Sequence, residues 1–276
     1  MSTVYVSDLD GTLLDAGSRL SDESAAIISG LTARGALITV ATARTPATVE
    51  PLLADAPTAL PAIVMTGAAL WDRRHRRYVD TKLIPVDVAA TVRGICQRHG
   101  IHPFVYTLDR GDMLVYHNGP LSVDDRRFIE QRDRLALKRF VLDDEAGLRL
   151  DLPATVLLFA MGPVDRIFPL ADELKSCVDC SVSAYIDIFG VDVGILEVFA
   201  AGVSKADAVS RVALRSGADR VVVFGDNLND LPMMAVADVA VAVDNALPQV
   251  KAAADIVIGP NTDNSVARFI EQDYDG

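Results

Sequence analysis

Val4-Tyr5-Val6-Ser7-Asp8-Leu9-Asp10-Gly11-Thr12-Leu13-Leu14 is the stretch on which the fold turns. Val4 to Ser7 reads as a short buried strand that runs straight into two carboxylates and a glycine. In open parallel α/β sheets, ligands bind beyond the carboxyl ends of strands, which is where Asp8 and Asp10 fall. Two carboxylates two residues apart can divide labour. One can attack phosphorus and carry an aspartyl-phosphate. The other can protonate the leaving oxygen and later deprotonate water. Close acids also resist ionising together, which biases one toward the protonated form a general acid needs. Gly11 permits a tight turn out of the strand. A polar turn or a calcium loop is the competing reading, but the later acidic ligands of an EF-hand are absent.

Outward from this stretch the chain alternates strand and helix patterns. Ser21 suits the N-cap of a helix over 22–34, with Gly35 just past its end. Ala36 to Ala41 is a second apolar run, Thr45-Pro46 marks a helix start, and Ala62 to Met65 is a third strand. Leu70-Trp71 and Tyr78-Val79 can pair as a hairpin around the basic tip Arg73 to Arg77. This is the βαβ pattern of a parallel sheet. The middle differs: helices over 87–99, 122–135 and 164–176 mix with strand candidates, among them 104–108 and 113–117 around Asp109-Arg110-Gly111-Asp112. It reads as an α+β module with an antiparallel sheet. From Gly194 the α/β pattern returns, with strands at 194–199, 220–224, 239–243 and 256–258 and helices at 204–216 and 265–272. The expected architecture is an α/β, Rossmann-like parallel-sheet core of residues 1–83 and 188–276, with an α+β domain of residues 84–187 inserted between them.

Three further features fall at strand or helix ends. Gly225-Asp226-Asn227-Leu228-Asn229-Asp230 follows the 220–224 strand, and its carboxylates are the hard oxygen ligands that Mg²⁺ takes. Lys205 stands beside the N-cap Ser204, where a helix N-terminus and an ammonium together favour phosphate. The chain has 5 lysines against 21 arginines, so a lysine here is less readily surface filler. Thr42 ends the 36–41 run and can offer a hydroxyl to a phosphoryl oxygen. Taken singly, each has a structural reading: an Asx turn, a solvated lysine, a strand-end threonine.

Their order and spacing resemble the four motifs of the haloacid-dehalogenase superfamily of phosphatases. Asp8 to Leu14 looks like the first motif, Thr42 the second, Lys205 the third and Asp226 to Asp230 the fourth. Ala41-Thr42-Ala43-Arg44-Thr45, Glu50-Pro51-Leu52-Leu53 and Gly202-Val203-Ser204-Lys205 are similar to the Cof-type branch, which carries a subclass IIB cap between the second and third motifs. The family usually has glycine at Ala43 and Asn-Gly at Thr66-Gly67. The resemblance implies that Asp8 is the nucleophile and Asp10 the general acid and base. It implies Mg²⁺ held by the Asp8 carboxylate, the Asp10 backbone carbonyl and Asp226, with Asp230 in the metal site too, there to orient Lys205 or a metal-bound water. It places phosphoryl oxygens against Thr42, Lys205, Asn229 and the amides of Leu9 and Ala43. Arg44 is a further substrate-binding candidate, two residues past Thr42. Arg110, His117 and Asn118 are weaker candidates on the cap.

Composition bounds the partners. The 276 residues carry a formal charge of −12, so nucleic acid and anionic membranes are poor partners, whereas a small phosphate ester at a metal-centred site is not excluded. No apolar run approaches the ~20 residues that span a bilayer, and the N-terminus has no secretory pattern. Three cysteines are too few for a disulfide framework, and a lone Cys177-x-x-Cys180 reads as reduced thiols in the cytoplasm. No GxGxxG or P-loop sequence is present. The expected function is Mg²⁺-dependent hydrolysis of a small phosphorylated metabolite, a sugar phosphate or similar. A phosphomutase of the same superfamily and a non-catalytic metabolite-binding protein on the same scaffold are the alternatives. A monomer and a homodimer fit equally.

Overall fold

Val4 and Val6 have no solvent exposure and Tyr5 is 1% exposed, so both faces of the first strand, β1 (Thr3–Ser7), are covered. The computed structural model describes residues 2–109, 111–143, 152–186 and 192–274. The chain forms two compact units, Met1–Asp80 with Ser204–Gly276, and Thr81–Val203.

In the first unit, β1 leads through a tight turn at Leu9–Leu13 to α1 (Asp22–Ala33). The Ser21 hydroxyl caps α1 by accepting from the Ser24 amide at 3.0 Å. β2 (Leu37–Val40) pairs parallel with β1, and Pro46 opens α2 (Pro46–Leu52). β3 (Ala62–Val64), β4 (Ala69–Asp72) and β5 (Arg77–Thr81) make a small three-stranded sheet, with the expected hairpin around Arg73 to Arg77.

The second unit holds α3 (Val86–Arg98), β6 (Phe104–Asp109), β7 (Asp112–Asn118), α4 (Val123–Glu130), β8 (Lys138–Asp143), β9 (Thr155–Pro163), α5 (Val164–Cys177), β10 (Cys180–Ile186) and β11 (Val193–Ala200). They build a six-stranded sheet in the order β10-β11-β9-β6-β7-β8. The hairpin expected between 108 and 113 is present, with Asp109 opposite Asp112. Three details differ from the sequence reading. α4 ends at Glu130, short of Leu135, and Leu137 at φ +65° turns the chain into β8. β8 pairs parallel with β7, because α4 acts as a crossover between them, so the sheet is not wholly antiparallel. The apolar run at 194–199 is β11, antiparallel to β9 and β10, and not a strand of the parallel sheet. A short apolar run is equally at home in either sheet, and only pairing decides.

The chain then returns to the first unit through α6 (Lys205–Ser216), β12 (Arg220–Gly225), α7 (Leu231–Met234), β13 (Val239–Ala242), α8 (Pro248–Ala253), β14 (Ile256–Val257) and α9 (Ser265–Asp273). The five-stranded sheet β14-β13-β12-β1-β2 is parallel throughout. β1 lies between strands that enter from opposite ends of the sequence. Ser7 is opposite Phe224 on one side and Val40 on the other. This is a topological switch point, and it brings the ends of β1, β2 and β12 to one carboxyl edge. Among the described residues, no helix is long and apolar enough to cross a membrane.

Candidate active site

Asp8 is the first residue beyond β1, and its amide bonds the Phe224 carbonyl at 3.0 Å, which fixes the start of the turn against β12. Gly11, at φ +80°, makes the turn possible and leaves room for a neighbour. A β-carbon at this position would lie 2.5 Å from Asp226 Oδ2. Thr12 follows, and its hydroxyl donates to Asp226 Oδ1 at 3.0 Å. The turn after β1 and the turn after β12 are thereby tied together across more than two hundred residues of sequence.

Lys205 is the central side chain. It begins α6, whose N-cap Ser204 accepts from the Asp207 amide at 3.1 Å. Its side chain is fully enclosed, and its Nζ lies 2.5 Å from Asp8 Oδ1 and 2.7 Å from Asp230 Oδ1. Asp230 has no solvent exposure. Its second oxygen accepts from the amides of Asp226 at 3.0 Å and Asn227 at 3.1 Å, so the residue holds both the lysine and its own turn. Asp8, Asp226 and Asp230 each offer a carboxylate oxygen within 4.8 Å of the others.

The charges in this cluster do not balance. Burial pushes the Asp8 carboxyl up to about 7; Lys205 pulls it down, and Asp230 and Asp226 add to the rise. Burial likewise raises Asp226 to about 6, against the hydrogen bond from Thr12. Burial also works against the Lys205 ammonium, but the two carboxylates outweigh it and hold the group above the ordinary lysine range. Three carboxylates facing one ammonium form a site that lacks positive charge. Its donors are all hard oxygens, the set a divalent cation such as Mg²⁺ takes. The residues present therefore fit a metal ion.

Asp10 and Arg44 form a second, more open pair. Arg44 Nε donates to Asp10 Oδ2 at 2.7 Å and its terminal nitrogen to Oδ1 at 2.5 Å, a bidentate fork. Thr42 is 1% exposed, and its hydroxyl accepts from the Arg44 amide at 3.1 Å. The Ala41 amide bonds the Ser7 carbonyl at 2.8 Å, which seats Thr42 beside Asp8 at the sheet edge. Among the described residues, the amides of Leu9 and Ala43 meet no acceptor.

The structure thus brings Asp8, Lys205, Asp226 and Asp230 into one cluster, and Asp10, Thr42, Ala43 and Arg44 to the adjoining strand ends. Asn229 lies on the same turn as Asp230 and is exposed there, and its side chain makes no hydrogen bond among the described residues. Arg110 lies outside the described residues. His117 is no surface group; it is fully buried, with its ring 4.7 Å from Phe104. Asn118 follows it at the end of β7. Two supporting residues escaped the sequence reading. Thr12 lay inside the quoted stretch without a role. Asn245, whose side-chain amide donates to the Gly11 carbonyl at 2.7 Å, sits in Asp244-Asn245 beyond β13. The signal was the same as for Asp226, a polar turn at a parallel strand end.

A model of the haloacid dehalogenase-like hydrolases matches residues 5–270. The pyridoxal phosphate phosphatase of Escherichia coli is 26% identical over 277 residues, covering 97% of either chain. A 5-amino-6-(5-phospho-D-ribitylamino)uracil phosphatase of Bacillus subtilis is 25% identical and covers 95% of this chain and 92% of its own. Among solved structures, a sugar phosphatase of haloalkanoate subclass IIB superposes with a TM-score of 0.72 at 18% identity, covering 99% of this chain and 98% of the other. That likeness is one of fold.

Proposed function

The chain belongs to the haloacid dehalogenase-like hydrolases and is a phosphoric monoester hydrolase of that family, and from that premise we propose that it uses Mg²⁺ and an aspartyl-phosphate to hydrolyse a small phosphorylated metabolite. The observation that carries the reading is the Asp8 carboxylate held 2.5 Å from a fully buried ammonium with two more carboxylates around it. A carboxylate so placed has one oxygen engaged by Lys205 and the other available for attack.

In the proposed first step an Asp8 oxygen bonds to phosphorus, and the bond from phosphorus to the ester oxygen breaks. Asp10 gives its proton to that leaving oxygen. In the second step Asp10 takes a proton from water, the water oxygen attacks phosphorus, and the bond to Asp8 breaks, releasing inorganic phosphate. Asp8, Asp226 and Asp230, with the Asp10 main chain, would hold Mg²⁺, which when bound supplies charge neutralisation between the carboxylates and the phosphoryl oxygens. Thr42, Lys205, Asn229 and the Leu9 and Ala43 amides orient those oxygens. Arg44 grips the Asp10 carboxyl in a bidentate ion pair. In the proposed mechanism the guanidinium turns to the substrate's phosphate, which leaves the Asp10 carboxyl free to face the leaving oxygen.

The substrate is a small phosphate monoester, as the names of the relatives suggest for those proteins, and a sugar phosphate or a phosphorylated heterocycle fits equally. Residues 81–203 serve as the cap that selects it. Three free cysteines agree with a reducing, cytoplasmic setting. The test is phosphate release with Mg²⁺ across sugar phosphates, flavin mononucleotide and pyridoxal phosphate, for the parent and for Asp8→Asn. We expect turnover of at least one ester and its loss in the variant. Substantial turnover by Asp8→Asn would overturn the nucleophile assignment. Isomer interconversion without phosphate release would mark a mutase.

A further inference from the structure

Asp10 sits on a turn that cannot fix its own position. Its side chain is 46% exposed. The next residue, Gly11, is at φ +80° and ψ −5°, and glycine loses more conformational freedom on folding than any other residue. The Leu14 amide closes the turn on the Leu9 carbonyl at 2.9 Å. That bond shapes the turn but does not set where it stands relative to Asp226. Two asparagines from later loops do so.

Asn245 lies between β13 and α8. Its side-chain nitrogen donates to the Gly11 carbonyl at 2.7 Å, and its side-chain oxygen accepts from the Asn261 amide at 2.9 Å. The partners themselves orient the side-chain amide, because a carbonyl only accepts and a main-chain N–H only donates. Asn261, between β14 and α9, donates in turn to the Leu14 carbonyl at 2.7 Å. The turn is therefore held from outside at Gly11 and again at Leu14. The loop that carries Asn245 also holds the turn after β12, where the Leu247 amide donates to the Asp226 carbonyl at 2.9 Å. One short loop thus grips Gly11 with a side chain and Asp226 with a main-chain amide, while the Thr12 hydroxyl joins the two turns directly. Asn245 is exposed. Its bonds do not build the core; they fix the place of one turn against the other.

We propose that Asn245 is a positioning residue for the reaction: by holding the Gly11 carbonyl it aims the Asp10 carboxyl at the leaving oxygen and keeps the Asp10 main chain placed for Mg²⁺ beside Asp226. The inference rests on the hydrolytic reading of the site. A bond that merely joined two loops would affect stability and leave metal affinity and leaving-group dependence alone.

The test compares the full chain with Asn245→Ala and with Asn245→Leu, which keeps the branched shape without the amide. Outer-shell partners of metal sites are worth roughly 10–100-fold in metal affinity or activity. Calorimetry without substrate should show Mg²⁺ bound about tenfold or more weakly by both variants. At saturating Mg²⁺, kcat/KM for an alkyl phosphate that the parent hydrolyses should fall by a factor in the same range. The fall should be clearly smaller for 4-nitrophenyl phosphate, whose phenolate leaves with little help from an acid. In EDTA, hydrogen exchange over residues 9–14 should quicken while the Trp71 urea midpoint stays near that of the parent. Unchanged Mg²⁺ affinity, equal losses for the two esters, unchanged exchange over 9–14, or a large fall in the urea midpoint with parent-like kcat/KM would each overturn the proposal. A parent that neither binds Mg²⁺ nor releases phosphate overturns the hydrolytic reading and this proposal with it. A parent that does both, with variants that match it, overturns this proposal alone.

Discussion

Lys205→Met retains most of the side-chain volume and deletes the ammonium that holds Asp8 and Asp230 together. At an effective dielectric constant of ~20, each of the two contacts at 2.5 and 2.7 Å carries about 6 kcal/mol of Coulomb attraction. Desolvation of the three buried charges offsets most of this, and deletion of one partner from a buried pair costs ~3–5 kcal/mol. We expect a loss of that size at pH 8. The loss should shrink on acidification, and the sign follows from Asp8. Its carboxyl is already raised to about 7 with Lys205 present, and without the lysine it rises further. In the variant the folded chain therefore binds a proton at a pH where the unfolded chain does not, and stability increases as pH falls toward the ordinary carboxylate range. The parent gains less, because its Asp8 starts lower. The assay is urea unfolding in EDTA at pH 8 and pH 5.5, followed by Trp71 fluorescence. Trp71 is the sole tryptophan and is fully buried in the unit that carries the site, so it reports that unit's own transition. A loss below ~1 kcal/mol at pH 8 would refute the view of Lys205 as the buried counter-ion, as would a deficit that widens toward acid.

Asp226→Asn should abolish Mg²⁺ binding by calorimetry yet raise stability in EDTA at pH 8 by ~1–2 kcal/mol, because a carboxyl raised to about 6 destabilises the fold when ionised; lower stability in EDTA would contradict this. Thr66 adopts φ +57° and ψ 22°, a left-handed conformation that a β-branched residue holds only under strain. Thr66→Asn should raise the Trp71 urea midpoint by the equivalent of ~1 kcal/mol, and an unchanged midpoint would show the strain to be absent. Arg44→Gln should raise KM for the best phosphate ester roughly tenfold or more, since one charged hydrogen bond to phosphate is lost; an unchanged KM would remove Arg44 from the phosphate site.

The parallel core was legible because its strands announce themselves twice, as apolar runs and as runs that end in chemistry. Val4 to Ser7 ends at Asp8, Arg220 to Phe224 ends at Gly225-Asp226, and the sheet places these ends side by side. The helix starts were equally plain, since Ser21 and Ser204 each bond an amide three residues on. What escaped depended on pairing. The strand over 193–200 has the apolar content of a core strand, but it is hydrogen-bonded to β9 and β10. Thr12 and Asn245 escaped because their work is to hold a turn and not to meet a ligand. His117 was placed at a loop by its position near a hairpin, whereas the alternation of β7 turns its side chain into the aromatic core beside Phe104.

The −12 charge of the chain and an anionic substrate are reconciled at the scale of single side chains. Asp8, Asp226 and Asp230 face one buried ammonium, and that imbalance raises the carboxyls of Asp8 and Asp226. A divalent cation would bring the cluster to neutrality, and only then does the site stop repelling a phosphate dianion. Arg44 is a further cation at the strand ends, and in this structure Asp10 occupies both arms of its fork. In the proposed mechanism a phosphate that takes the guanidinium also frees the Asp10 carboxyl from that fork. Substrate binding and the release of Asp10 toward the leaving oxygen are then proposed to be one event.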